Sequence, residues 1–264
     1  MKFVYGIIFL FNLNAQAQFN SGPRFTAMGL SGVSLQDMWS MQQNQAGIAN
    51  IKKAAFAISY EKTFAGQELS SQSALLVYPL KSGVLGVSFQ KYGFSAYNLQ
   101  QAGLAYARSF GPNLSLALNF NYHQLKILGY GSSQSYSVDA GFQFSLSEKI
   151  RLGAHIANPG KSSFGKDINA IIPVQIQFGT SYKPTSKVTV AATLEQILDS
   201  KMDLKLGLEY LLVNWFALRG GISADPFKQY GGFGINYLKF RLDAAATSHP
   251  VLGYSPQIAL SYEF

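Results

Sequence analysis

The sequence predicts an all-β fold: a transmembrane antiparallel β-barrel of about fourteen strands with an amino-terminal hatch inside its lumen. Three observations carry this expectation. The chain closes on an alternating run, Gln257 to Phe264. In it Ile258, Leu260, Tyr262 and Phe264 share one face; Gln257, Ala259, Ser261 and Glu263 share the other. Charged residues make up only 13% of 264, against 48% hydrophobic, whereas a soluble domain carries about 25% charged residues. Mean hydropathy is nevertheless only +0.08, and no apolar run approaches the roughly 20 residues of a spanning helix. A membrane chain without such helices must close its backbone hydrogen bonds as a barrel.

The amino-terminus comes first in chain order. Met1–Ala17 reads as a secretory signal peptide, with Lys2 as its basic start, Phe3–Leu13 as its apolar stretch and Ala15-Gln16-Ala17 as its cleavage site. The expected division is therefore 1–17 signal peptide, 18–53 hatch and 54–264 barrel. There is no Cys, which excludes a lipid-anchored amino-terminus, disulfides and thiolate metal sites. The net charge of +8 comes from scattered basic residues. Scatter argues against nucleic-acid binding and fits solvated turns or attraction to lipid head groups. The 15 Tyr and 20 Phe suit aromatic girdles at two membrane interfaces.

From Ala54 onward, period-2 alternation recurs. Leu114, Leu116, Leu118, Phe120 and Tyr122 oppose Ser115, Ala117, Asn119, Asn121 and His123. Leu204, Leu206, Leu208 and Tyr210 oppose Lys205, Gly207 and Glu209. Fourteen such segments lie near 54–61, 73–79, 83–92, 97–110, 114–126, 135–146, 150–157, 172–183, 188–196, 203–211, 215–223, 231–237, 240–246 and 257–264. Every second connection reads as tight and the others mostly as longer, with Gly93–Ala96 the exception. This parity puts both barrel ends in the periplasm. A last strand with Tyr262 and Phe264 facing lipid is an insertion signal of the kind the barrel-assembly machinery reads.

Residues 18–53 do not alternate. Met28-Gly29-Leu30-Ser31-Gly32-Val33-Ser34, then Asp37 and Trp39, then Asn44-Gln45-Ala46-Gly47-Ile48-Ala49 resemble the amino-terminal signature of the long-chain fatty-acid transporter (FadL) superfamily. Gln45 stands where that pattern has Pro. The resemblance is nearest to the branch of type IX secretion outer-membrane proteins (the PorV/PorQ-like branch). It implies a fourteen-stranded barrel with an internal hatch. It also implies long outer loops for ligand capture, for which this chain lacks room, and no ligand-contact positions match. Physically, Gly29, Gly32 and Gly47 would allow close approach to the wall and positive φ. Asp37 and Asn44 would cap turns, and Arg24 and Asp37 would pair with wall charges.

Projection of the strands sends Asp139, Arg151, His155, Glu195, Lys205, Glu209, Arg219, Arg241, Asp243 and Glu263 into the lumen. Buried charges must be paired, so salt bridges between wall and hatch are the expectation. His123, His155 and His249 lack metal-ligand spacing; His123 is expected to meet water and His249 to sit in an outer loop. Asn158-Pro159-Gly160-Lys161-Ser162 lacks the spacing of a phosphate loop. The expectation is a non-enzymatic barrel without cofactor or metal. Its first reading is an adaptor subunit of an outer-membrane secretion or barrel-assembly complex, with outer-membrane or periplasmic protein partners and surrounding lipid. The alternative is a FadL-like channel for passive uptake of a hydrophobic ligand, which needs a wall opening and an apolar pocket above the hatch.

Overall fold

In the computed structural model, the described residues are 21–65, 68–165 and 172–264. The signal-peptide expectation falls on residues outside them. The wall is a closed antiparallel barrel of fourteen strands, each paired with its sequence neighbours. The strands are β1 (Ala55–Lys62), β2 (Ser70–Leu80), β3 (Gly83–Gly93), β4 (Tyr97–Phe110), β5 (Leu114–Ile127), β6 (Gly131–Ser145) and β7 (Ile150–Ala157). They continue as β8 (Gln175–Thr185), β9 (Val188–Ile197), β10 (Asp203–Val213), β11 (Phe216–Ala224), β12 (Phe227–Tyr237), β13 (Phe240–His249) and β14 (Gly253–Glu263).

Alternation decides which face meets which solvent. Ile58, Leu118, Phe120, Leu208 and Leu260 point outward and are exposed on the bare barrel. Water would reject so continuous an apolar belt, whereas lipid accepts it. β1 closes on β14 in the register Ala55↔Glu263 to Glu61↔Gln257. The Phe264 N–H donates to the Ala54 carbonyl at 2.9 Å. Tyr262 packs on Phe240 and Phe264, with ring centroids 4.9 and 5.1 Å apart. The terminal aromatics therefore fasten the seam at the rim. Glu263 does not reach the lumen interior; it pairs with Lys53 at 2.6 Å on the exposed rim.

Both ends of the wall lie at the end with tight turns, the periplasmic end by the habit of bacterial barrels. The expected length parity holds only in part. The opposite end carries three longer connections, 63–69, 158–174 and 198–202, but four of two or three residues: 94–96, 128–130, 225–226 and 250–252. The reason is that β6, β12 and β14 begin several residues before their apolar alternation does. Gly131-Ser132-Ser133-Gln134, for example, pairs with β5 without any apolar alternation to announce a strand.

Residues from Ser21 to Asn50 lie packed inside the barrel, almost all of them buried. Helix α1 (Pro23–Ala27) starts with Pro at its first turn, where the missing N–H costs nothing. Two short 3-10 helices follow, Met38–Gln42 and Gln45–Ile48. Phe25, Met28, Trp39, Met41 and Ile48 form an apolar core with lumen-facing Ala57, Leu75, Val77 and Ala105.

Candidate functional site: the hatch lock and the outer lumen

The hatch is built by capping. The Asp37 side chain accepts the Trp39 N–H at 3.0 Å and the Ser40 hydroxyl accepts the Asp37 N–H at 3.3 Å, a reciprocal capping box on the first 3-10 helix. Asn44 Oδ1 accepts the Ala46 N–H at 3.2 Å and caps the second. Its amide nitrogen lies 2.6 Å from the Val33 carbonyl and 3.1 and 3.2 Å from those of Phe142 and Ala154, pinning the hatch to β6 and β7. A side chain at Gly141 would collide with Asn44 Oδ1. The Trp39 ring covers Gly22. Gly29 has φ +66 and lies against the Leu206 and Ile222 backbone. Gly32 and Gly47 differ from expectation: neither has positive φ, and their close neighbours are other hatch residues, Phe25 and Gln43 for one, Leu35 and Ser40 for the other.

Six charged side chains then close a ring. Arg24 binds Glu209 through Nε at 2.9 Å and Nη2 at 2.6 Å. Glu209 binds Arg219 Nε at 2.7 Å, and Arg219 Nη1 binds Asp243 at 2.7 Å. Asp243 Oδ2 lies 2.8 Å from Arg241 Nε; Arg241 Nη1 reaches Asp37 at 3.2 Å, and Asp37 returns to Arg24 at 2.6 Å. Three arginines alternate with three carboxylates, two members from the hatch and four from β10, β11 and β13. The ring must cross β12, and it does so over Gly234, where a Cβ would sit 2.5 Å from Arg219 and 2.6 Å from Asp243. Burial alone would raise the Asp37 carboxyl, but Arg241 and Arg24 outweigh it and hold it below the usual carboxylate range. Burial would likewise lower the Arg24 guanidinium, but Glu209 and Asp37 raise it above its ordinary value. Every charge in the ring has an opposite partner, so the ring is charge-balanced and ties the hatch to β10, β11 and β13. It acts as a lock.

The other lumen residues separate from this ring. Lys205 pairs with Glu195 at 2.6 Å and lies 3.8 Å from Asp203; Gln175 and Gln177 each donate to Glu195 at 2.6 Å. Asp139 accepts from Asn119, Asn121 and the Asn158 N–H. His155 is buried between these groups, opposite Gln177 in the ladder. Arg151 joins neither cluster; its Nε lies 3.3 Å from Ser145 Oγ, and among the described residues it forms no ion pair. His123 does not meet water: it is 5% exposed, hydrogen-bonded to Ser137 Oγ at 2.9 Å and edge-on to Phe164. His249 ends β13, and its Nδ1 accepts from Val251 and Leu252.

Two features of the outer lumen escape sequence reading. The first is an apolar corner: Leu99, Leu125, Phe164 and Ile172, with Tyr97 and Ile127 packed against them. Leu99 and Leu125 face the lumen next to polar Gln101 and His123 on their strands, and that interruption is the signal that could have found them. The second is the shortness of β7 beside the long β6. β6 pairs with β7 only from Ala140 to Ser145. Beside its outer part, Gly131–Asp139, which ladders with β5, runs the start of the 158–174 loop: Ser163 forms an isolated bridge and Gly165 lies against Ser133. Asn158, at φ +49, follows the end of β7. It ties the loop ends together by donating to the Ser162 and Ile172 carbonyls at 3.1 and 2.8 Å. Among the described residues no cluster of three or more His, Asp or Glu could hold a metal.

The overall architecture has solved counterparts. It superimposes on the Ralstonia pickettii toluene transporter TbuX with a TM-score of 0.73, covering 94% of this chain and 99% of that one at 13% identity. The fold is FadL-like. The Pseudomonas putida toluene transporter TodX matches at 0.73 over 92% and 97% of the two chains with 11% identity. A Pseudomonas aeruginosa FadL homologue matches at 0.65 over 92% and 98% with 12% identity. No family model and no curated protein matches the sequence. With its closed wall and apolar belt, the chain is an integral β-barrel of the Gram-negative outer membrane.

Proposed function

We propose that this barrel is a passive route for small hydrophobic molecules, taken in at the outer mouth and released sideways rather than through the hatch. One observation carries the reading: an apolar corner lies next to the short β7, above a hatch fastened by a charge-balanced ring. Similarity to barrels described as toluene transporters supports it. A passive route needs an apolar place to rest and a gap toward lipid, and the Leu99–Leu125–Phe164–Ile172 corner and the stretch where β7 stops short of β6 supply candidates for both. The hatch residues Arg24, Asp37, Trp39, Asn44 and Ala46 then act as structure, keeping ions out. Residues 1–17 would direct export and 18–53 would form the hatch. Uptake of labelled toluene and of a labelled long-chain fatty acid by a deletion strain, with and without the gene restored, tests the route. Equal uptake in both strains contradicts it.

The adaptor reading, within a secretion or assembly complex of the type IX kind, now stands second. Four outer connections of two or three residues favour it, since they leave little surface for ligand capture. Recovery of the barrel with constant partners after gentle solubilisation would support it, and recovery as a lone monomer in several detergents would count against it.

A further inference from the structure

Several exposed basic residues gather at the periplasmic end of the barrel. Lys149, Lys183, Lys187 and Lys239 stand exposed around the periplasmic end. Lys52, Lys81 and Arg108 meet on one side of the same rim, where they line a cavity of about 420 Å³. Its walls are the last hatch residues Ala49–Lys52, the turn between β2 and β3 and the end of β4. That size suits a small head group.

Three features separate this cavity from ordinary solvated rim charge. No carboxylate lines it, and none of its three cations forms an ion pair among the described residues, whereas neighbouring Lys53 is neutralised by Glu263 at 2.6 Å. Its remaining polar groups are small: Ser109 donates to Asn50 Oδ1 at 2.8 Å, and Ser82 receives the Tyr106 hydroxyl through its carbonyl at 2.8 Å. Finally, it adjoins the lower edge of the lipid-facing wall. Leu80, Tyr106 and Phe110 are exposed there, and the Arg108 guanidinium lies 5.2 Å from the Phe110 ring centre. A ligand here meets positive charge at the rim and apolar surface directly above it.

We propose that this cavity binds the phosphate of an anionic glycerophospholipid from the periplasmic leaflet, with the acyl chains against Leu80 and Tyr106. Charge-assisted contacts from Lys and Arg to phosphate are strong and short, and basic pockets at membrane interfaces select anionic head groups. The apolar wall beside the cations favours a lipid over a free anion or an acidic peptide, neither of which would use it. The site does not depend on whether the barrel carries a solute.

Native mass spectrometry of the purified barrel in mixed micelles of phosphatidylglycerol and phosphatidylcholine tests this. The wild type should retain phosphatidylglycerol over phosphatidylcholine by about tenfold or more, given three cations near the head group. The triple variant Lys52→Gln/Lys81→Gln/Arg108→Gln should lose that preference, while Lys187→Gln/Lys239→Gln keeps it. Heat-modified mobility on gels shows that each variant is folded, and Lys81→Arg should retain the preference. Equal retention of the two lipids by the wild type overturns the proposal, as does an unchanged preference in the triple variant. Inorganic phosphate binding without retained phosphatidylglycerol also overturns it, because the site would then serve a free anion.

Discussion

The two halves of the lumen are built on opposite plans. In the periplasmic half every carboxylate of the ring meets an arginine, and Gly141 and Gly234 clear space for the hatch and the ring to touch the wall. In the outer half β7 stops short of β6, and apolar side chains occupy lumen positions. One half centres on a ring of paired charges between hatch and wall; the other holds a small buried apolar corner next to the short β7. The proposed route assigns closure to the first half and passage to the second, so substitutions in the two halves should act on different observables.

The largest effect is expected at the ring. Arg24→Ala leaves Asp37 and Glu209 short of a partner in a buried setting, and breaking such a pair costs about 3–5 kcal/mol. Denaturant unfolding of the barrel in detergent should show this. Arg151→Ala, outside both charge clusters, should stay within about 0.5 kcal/mol of the parent. Equal losses in the two variants would erase the contrast between lock and bystander.

A smaller effect is expected from bulk at the crossing point. Gly234→Val places a side chain where Arg219 reaches Asp243, and overpacking of this kind costs about 1–3 kcal/mol. Reducing the apolar corner should act differently. Phe164→Ala is expected to lower uptake of a hydrophobic probe several-fold, on the order of the loss for one buried aromatic contact, with little change in ionic conductance across planar bilayers.

The smallest effect is that of pH. The Asp37 carboxyl is held below its ordinary value, so its contribution is complete above about pH 4 and disappears only as pH falls through the lower folded value. Hatch protection, read by limited proteolysis of the hatch, should therefore be flat from pH 8 to pH 5, a window set above that roughly pH 4 limit, and weaken in stronger acid. Loss of protection near neutral pH would mean that another group controls the lock.

The wall was legible because lipid and lumen impose strict alternation on each strand. The same parity sent Glu209, Arg219 and Asp243 inward. That they join into a ring was not legible: it depends on the register of β10 through β13 and on a glycine at 234, both properties of pairing rather than of any one segment. The mismatch of β6 and β7 was hidden for a related reason. The outer end of β6, Gly131–Ser135, is Gly, Ser and Gln without apolar rhythm, and the shortness of β7 matters only beside a long neighbour. Phe164 and Ile172 sit in a loop, where no periodicity marks an apolar residue as inward. Leu99 and Leu125 did carry a signal, since they follow the inward parity of Gln101 and His123 on their own strands yet are large and apolar.

The most direct measurement is the initial rate of hydrophobic-probe uptake by a deletion strain carrying Phe164→Ala or Arg24→Gln, at matched amounts of folded barrel in the outer membrane. Lateral release above a closed hatch predicts that Phe164→Ala slows uptake and Arg24→Gln leaves it near the parental rate. Faster uptake in Arg24→Gln with no change in Phe164→Ala would contradict the account, because the solute would then be passing the hatch.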